Sequence, residues 1–216
     1  MNLENNFETI DLNTWPRGAL FRFYINEMRI VMSLTVDIDV TPLRRFVKDN
    51  ELKFYPTMIW LVSSVINAHD EFKYGWDDAG RLIKWETVSP SYAHFHEVDE
   101  NFVKMVTPFS EDLFDFHARF LRDRARSEDC QGILSQQPPN FFDVTCLPWV
   151  HYRHFDLHVF DEGRFLAPVV SWGRYEESGG RMLMPLTMNI HHAVADGFHL
   201  SRFFTEVQDR IDTLCV

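Results

Sequence analysis

The chain has 216 residues, 45% hydrophobic, 25% charged and 15% aromatic, a length for one domain over 1–216 and a composition that excludes disorder. The formal net charge is -11 with the acidity spread along the chain, which excludes nucleic acid as a partner because phosphate backbones need a basic surface. Cys130, Cys146 and Cys215 form no CxxC pair, so a thiolate zinc site is not expected and a reducing, cytoplasmic compartment is.

Met1 to Thr9 is polar and acidic, without the apolar run of a signal peptide. Arg29 to Asp39 alternates in its second half and predicts a strand. Thr41-Pro42 offers an N-cap and a first-turn proline for a short helix to about Asn50. Tyr55 to Ala68 spaces Ile59, Val62, Val65 and Ile66 as a buried helix. The apolar run Pro56 to Ile66 is far too short to span a bilayer, so no membrane is expected. Asp77 to Gly80 is a turn between two aromatic strands. Ser110 to Arg126 places Leu113, Phe116, Phe120 and Leu121 on one helical face, with Ser110 as the expected cap. Gln131 to Asn140 reads as a loop, and strands follow near Phe141–Cys146 and His154–Val159. Pro168–Tyr175 and Arg181–Ile190 form a hairpin through Glu177-Ser178-Gly179-Gly180, and Gly197 to Leu214 is an amphipathic helix. Hairpins outnumber βαβ units, so the expected fold is α+β: a two-layer sandwich with a mixed, largely antiparallel sheet and helices on one side.

The segment that carries chemistry is His191-His192-Ala193-Val194-Ala195-Asp196-Gly197-Phe198-His199, where an apolar strand gives way to a helix. A strand end fixes an imidazole and the following turn leaves it reachable. Adjacent residues of an extended chain point to opposite faces, so only one of the two histidines can face a given substrate. His-x-x-x-Asp alone arises by chance. HHxxxDG at a strand-to-helix junction is far more specific.

HHAVADGFH resembles the active-site signature of the chloramphenicol acetyltransferase family, which has Cys at the Ala195 position. The resemblance extends in matching order over Trp15-x-Arg17, Lys53-Phe54-Tyr55-Pro56, Phe95-His96, Leu147-Pro148-Trp149, Phe155-Asp156-Leu157, Ala167-Pro168 and Met184-Pro185-Leu186. HHxxxDG is shared with the much longer condensation domains of peptide synthetases, and the short chain favours the smaller family. The resemblance implies an acetyl-CoA-dependent O-acetyltransferase with His192 as general base, acetylating chloramphenicol by direct transfer in a ternary complex. It implies a hydroxyl at Thr145 on the oxyanion, where the family carries Ser, and an Arg17–Asp196 pair holding the catalytic loop. Lys53, Tyr175 and Arg174 would hold CoA. Phe23, Tyr24, Ile30, Phe102, Phe155, Leu157, Val159 and Ser171 would line the acceptor site.

Several positions depart from the family pattern. Ser171 replaces a threonine, Ile30 a cysteine or alanine, and Met32 stands at an often aromatic position. His94 takes an apolar position, and Lys104 a small one, where its charge needs a partner or a route to solvent. The same chemistry on another hydroxyl acceptor, or a catalytically weak CoA-binding relative, are the alternatives. Family likeness also implies a homotrimer with active sites at subunit interfaces, His192 and Tyr24 meeting only across chains. His151, His154 and His158 would point to mixed faces of a strand with no carboxylate at ligand spacing, so no metal is expected.

Overall fold

The structure, a computed structural model, describes residues 6–127, 130, 132–133 and 137–214, with 132–133 described by backbone alone. Its elements in chain order are β1 (Phe7–Thr9), α1 (Gly18–Asn26), β2 (Val31–Asp39), α2 (Thr41–Asp49), α3 (Phe54–Ala68), β3 (Tyr74–Trp76), β4 (Leu82–Trp85), β5 (Ser89–His96) and β6 (Asn101–Val106). There follow α4 (Leu113–Ser127), β7 (Gly132–Ile133), β8 (Phe141–Leu147), β9 (Val169–Gly173), β10 (Glu176–Ser178), β11 (Arg181–His191) and α5 (Gly197–Leu214). This is the expected α+β sandwich.

The large sheet runs β10-β11-β9-β8-β5-β6-β7, with β2 on the other edge of β11. It is mixed: β11 pairs antiparallel with β2, β9 and β10, whereas β8 pairs parallel with β5 and β9. Period-two alternation divides the two faces. Val103, Met105, Tyr92, Phe142, Val144, Val170, Trp172, Leu186, Met188 and Ile190 are buried and belong to one core with α3, α4 and α5. The intervening residues Lys104, Ala93, Asp143, Thr145, Ser171, Thr187 and Thr35 form the other, polar face. A smaller sheet, β1-β4-β3, meets α1 through Phe21 on Trp76 and the turn before α1 through Trp15 on Tyr74.

Local chemistry explains the boundaries, adds two elements that the sequence reading lacks and corrects two expected caps. The helix α1 was not anticipated: its sequence is apolar on more than one side, and only Gly18 and Phe21 are buried. Gly18 is required there, because a Cβ would sit 2.0 Å from the Leu12 carbonyl oxygen. Thr41 is the first residue of α2, not its cap; its hydroxyl accepts the Met182 N–H at 2.7 Å, and Asp39 accepts the Thr41 N–H at 2.9 Å. Asp112, not Ser110, caps α4, accepting the Asp115 N–H at 2.8 Å. The hairpin of β5 and β6 also went unread.

The segment 154–159 alternates like a strand yet is not one. It crosses the polar face of the sheet, where Leu157 O accepts the Asn189 side-chain N–H at 3.0 Å. Within the expected 131–140 loop, Gly132–Ile133 pairs with β6 as β7; residues 131 and 134–136, like Cys215, lie outside the described residues. At the other hairpin, Gly179 and Gly180 have φ of 59° and 78°, giving the tight two-residue turn between β10 and β11.

Candidate active site

The strand β11 ends at His191, and the chain turns through Ala193, Val194 and Ala195, all buried, into α5. His191 is 1% exposed; its Nδ1 accepts the Ala193 N–H at 3.0 Å. Burial pulls its pKa down, aided by His192 and Arg29 against Asp161, so the neutral ring is favoured. His192 is only partly buried. Its N–H donates to Ile30 O at 2.8 Å, and its Nδ1 lies 2.9 Å from Ala195 O. A carbonyl can only accept, so Nδ1 carries a proton, and in the neutral ring the lone pair therefore lies on Nε2.

Arg17, immediately before α1, holds this turn. Its guanidinium donates to Ala193 O at 2.7 Å, His192 O at 2.8 Å, Ala195 O at 2.9 Å and Asp196 Oδ2 at 3.2 Å. Three carbonyls that the turn leaves without strand or helix partners are thereby satisfied. The Asp196 carboxyl is pushed up by burial, but His199 and Arg17 outweigh that and hold it below the usual carboxylate range. His199, to which the sequence gave no role, has Nδ1 2.9 Å from Asp196 Oδ1.

Tyr24 of α1 stacks on His192 within the same chain, centroids 4.1 Å apart and planes at 15°. This corrects the expectation that the two meet only across chains: α1 folds back beside the end of β11 and lays the phenol on the imidazole. Phe23 packs edge-on to Tyr24 at 5.2 Å.

Thr145 lies elsewhere. It is opposite Ser171, which is opposite Thr187, which is opposite Thr35, so four hydroxyls form one row across β8, β9, β11 and β2. Thr35 and Thr187 share a hydrogen bond of 2.7 Å, and Tyr152 OH is 3.2 Å from Thr187 Oγ1. His154 continues the chain, with Nδ1 3.3 Å from Thr35 Oγ1 and Nε2 3.0 Å from Asp156. Such a row is legible only once register is known. Ser171 is 1% exposed, and among the described residues its hydroxyl has no partner within hydrogen-bond reach. Cys146, beside Thr145, faces away from this row, and burial pushes its thiol up to about 12, so it is no nucleophile near neutral pH.

Register places Thr145 and His192 far apart in one chain. Thr145 is level with Thr187 on β11 and two strands removed, while His192 lies five residues farther along. At about 3.3 Å per residue and about 4.8 Å per strand, the separation is roughly 19 Å.

The other expected site residues divide in the same way. Ile30 joins the His192 group through its carbonyl. Phe102 is 52% exposed on β6, alongside the Thr145 face, and Phe155 packs near Tyr152 at 5.8 Å. Leu157 and Val159 are exposed on the crossing segment. Lys104 finds a partner: it forms a salt bridge to Asp143 on β8, reaching past the small side chain of Ala93. His94 packs edge-on against His96.

On the opposite side, Lys53 lines a cavity of about 280 Å³ with Phe54, Tyr55, Ala93 and Arg124. Tyr175 packs on Phe54 at 5.9 Å and under Arg44 at 4.6 Å. Arg174 pairs with Glu176 at 3.0 Å. Among the described residues, no group of three His, Cys, Asp or Glu side chains is placed to hold a metal, and no helix is long and apolar enough to cross a membrane.

The sequence model of a family described as chloramphenicol acetyltransferase matches residues 5–208. A chloramphenicol acetyltransferase of Clostridium perfringens is 35% identical over 205 residues, covering 94% of each chain. Chloramphenicol acetyltransferase 3 of Escherichia coli is 34% identical over 206 residues, covering 94% of this chain and 96% of its own. Among solved structures, a chloramphenicol acetyltransferase superposes with a TM-score of 0.84 at 20% identity over 95% of this chain and 100% of its own. The dihydrolipoamide acetyltransferase of Azotobacter vinelandii superposes at 0.68 and 16% identity over 91% and 88%.

Proposed function

The chain belongs to the chloramphenicol acetyltransferase family, and from that premise we propose that it transfers the acetyl group of acetyl-CoA to a hydroxyl of chloramphenicol, with His192 as general base. The observation that carries the reading is the Nδ1 contact to Ala195 O, which leaves Nε2 free to accept a proton. In the reaction, His192 Nε2 takes the acceptor O–H proton as the oxygen attacks the thioester carbonyl. The C–O bond forms, the C–S bond breaks, and the proton passes to the departing thiolate. Thr145 donates its hydroxyl to the tetrahedral oxyanion. Arg17 and Asp196 hold the turn so that the base does not wander; neither touches the reacting atoms. Lys53, Tyr175 and Arg174 are read as donor-side residues. Phe23, Tyr24, Ile30, Phe102, Phe155, Leu157 and Ser171 are read as the acceptor wall.

The roughly 19 Å between Thr145 and His192 supports a site assembled from two copies of a single-domain chain, because both groups must lie within hydrogen-bond reach of one carbonyl. A base-bearing surface and a donor-bearing surface that differ make a head-to-tail contact, and a closed ring of three such contacts is a trimer. Exposed apolar residues on both sides, Phe23 on α1, Met28 just after it and Val31 and Leu34 on β2, and Leu157, Val159 and Phe160 on the crossing segment, suit burial in such a contact.

The test is thiol release from acetyl-CoA with and without chloramphenicol. Wild type should show chloramphenicol-dependent release, and His192→Ala should lose about 10²–10⁴-fold in kcat. Acceptor-independent release equal in both proteins would overturn the proposal.

A further inference from the structure

Three cations of α2 stand around an open cavity of about 320 Å³ that none of the sequence features predicted. Arg44, Arg45 and Lys48 line it together with Thr41, Glu177, Gly180 and Met182. Among the described residues none of these three cations is in an ion pair, in a chain whose formal charge is -11. The corner is fixed: Met182 donates its N–H to Thr41 Oγ1 at 2.7 Å, and Val40 donates to Met182 O at 2.9 Å. Thr41 accepts from that backbone bond, so its own O–H remains available to donate.

The position of this cavity matters. Tyr175 touches Arg44, which lines it, and Phe54, which lines the 280 Å³ cavity holding Lys53 and Tyr55. One aromatic ring therefore joins the linings of two cavities, both of which carry cations. Arg174, the cation expected to hold a phosphate, is instead engaged with Glu176.

We propose that the α2 cavity binds a phosphate group at the nucleotide end of the acetyl donor, with Arg45 and Lys48 gripping it and Arg44 lying over Tyr175. The proposal rests on the reading of the chain as a CoA-dependent acetyltransferase and adds the residues that select a nucleotide-bearing donor. Glu177 is the single carboxylate of the lining, and it opposes an anion there. Neutralising it therefore strengthens binding, whereas neutralising the cations weakens it.

The experiment compares kcat/KM for acetyl-CoA with that for acetyl-pantetheine, which lacks the nucleotide. In Arg45→Gln/Lys48→Gln the preference for acetyl-CoA should fall about tenfold or more through KM, the loss of two charge-assisted contacts. Glu177→Gln should shift the same ratio the other way. Added salt should raise the wild-type KM for acetyl-CoA more steeply than that of the double variant. A ratio unchanged in the double variant would overturn the assignment, whether or not overall activity fell. If wild type transferred acetyl from both donors in that case, the acetyltransferase reading would stand without it. Transfer from neither donor would remove both.

Discussion

The two halves of the proposed site are built on opposite plans. Around His192 the backbone itself is held: one guanidinium ties three carbonyls and a carboxylate, and the intervening Ala193, Val194 and Ala195 are buried. Around Thr145 side chains are aligned across the sheet: Ser171 and Thr187 are buried, Thr145 and Thr35 at the two ends of the row are half-buried, and the segment crossing that face, 149–160, has no regular secondary structure. Trp149 and Phe160 on that segment are 62% and 98% exposed. A base must keep one tautomer and one direction, so it is over-determined within the chain. On the proposed reading, a surface that receives substrate and a second subunit would be finished only on assembly.

That contrast can be broken experimentally. After removal of the base itself, the largest effect is expected at Thr145, where Thr145→Val keeps the shape and removes the donor; kcat should fall about 10²–10³-fold. Thr145→Ser should retain activity, and equal losses in the two variants would show that the hydroxyl is not used. Next, Arg17→Lys cannot reproduce a planar fork that reaches several acceptors. It should cost on the order of 10²-fold in kcat, as expected for a misplaced base, with the KM for acetyl-CoA little changed.

Mixing probes the assembly. Co-refolded His192→Ala and Thr145→Val chains should recover about a quarter of wild-type activity, the chance that an intact base meets an intact donor in the productive order. No recovery would place base and donor in one chain. The smallest effect concerns His191. Its folded pKa lies below the unfolded value of 6.5, so the unfolded chain binds protons more readily and stability falls as pH drops below that value. His191→Asn can still accept the Ala193 N–H. Its melting temperature should fall less steeply between pH 7 and pH 5 than that of wild type, and parallel slopes would refute the assignment.

Legibility followed the same division. The β11–turn–α5 unit was written plainly: alternation, a glycine at the junction, then helical period. The Arg17–Asp196 pair was expected through family likeness, yet the three carbonyls on Arg17 were not, because backbone acceptors carry no side-chain signature. The stack of Tyr24 on His192 was read wrongly, since nothing in α1 announces a helix or its return to β11. The hydroxyl row was invisible because it joins residues from four strands whose register is set by pairing. The false strand at 154–159 shows the limit of alternation, which reports a chain with two unlike sides and not the presence of a partner strand.

One consequence of the Arg17 clamp concerns biosynthesis. Its two ends are 179 positions apart, so the contact cannot exist until position 196 has left the ribosome. Competence for acetylation would therefore arrive abruptly, once position 196 has emerged and Arg17 can close on the turn.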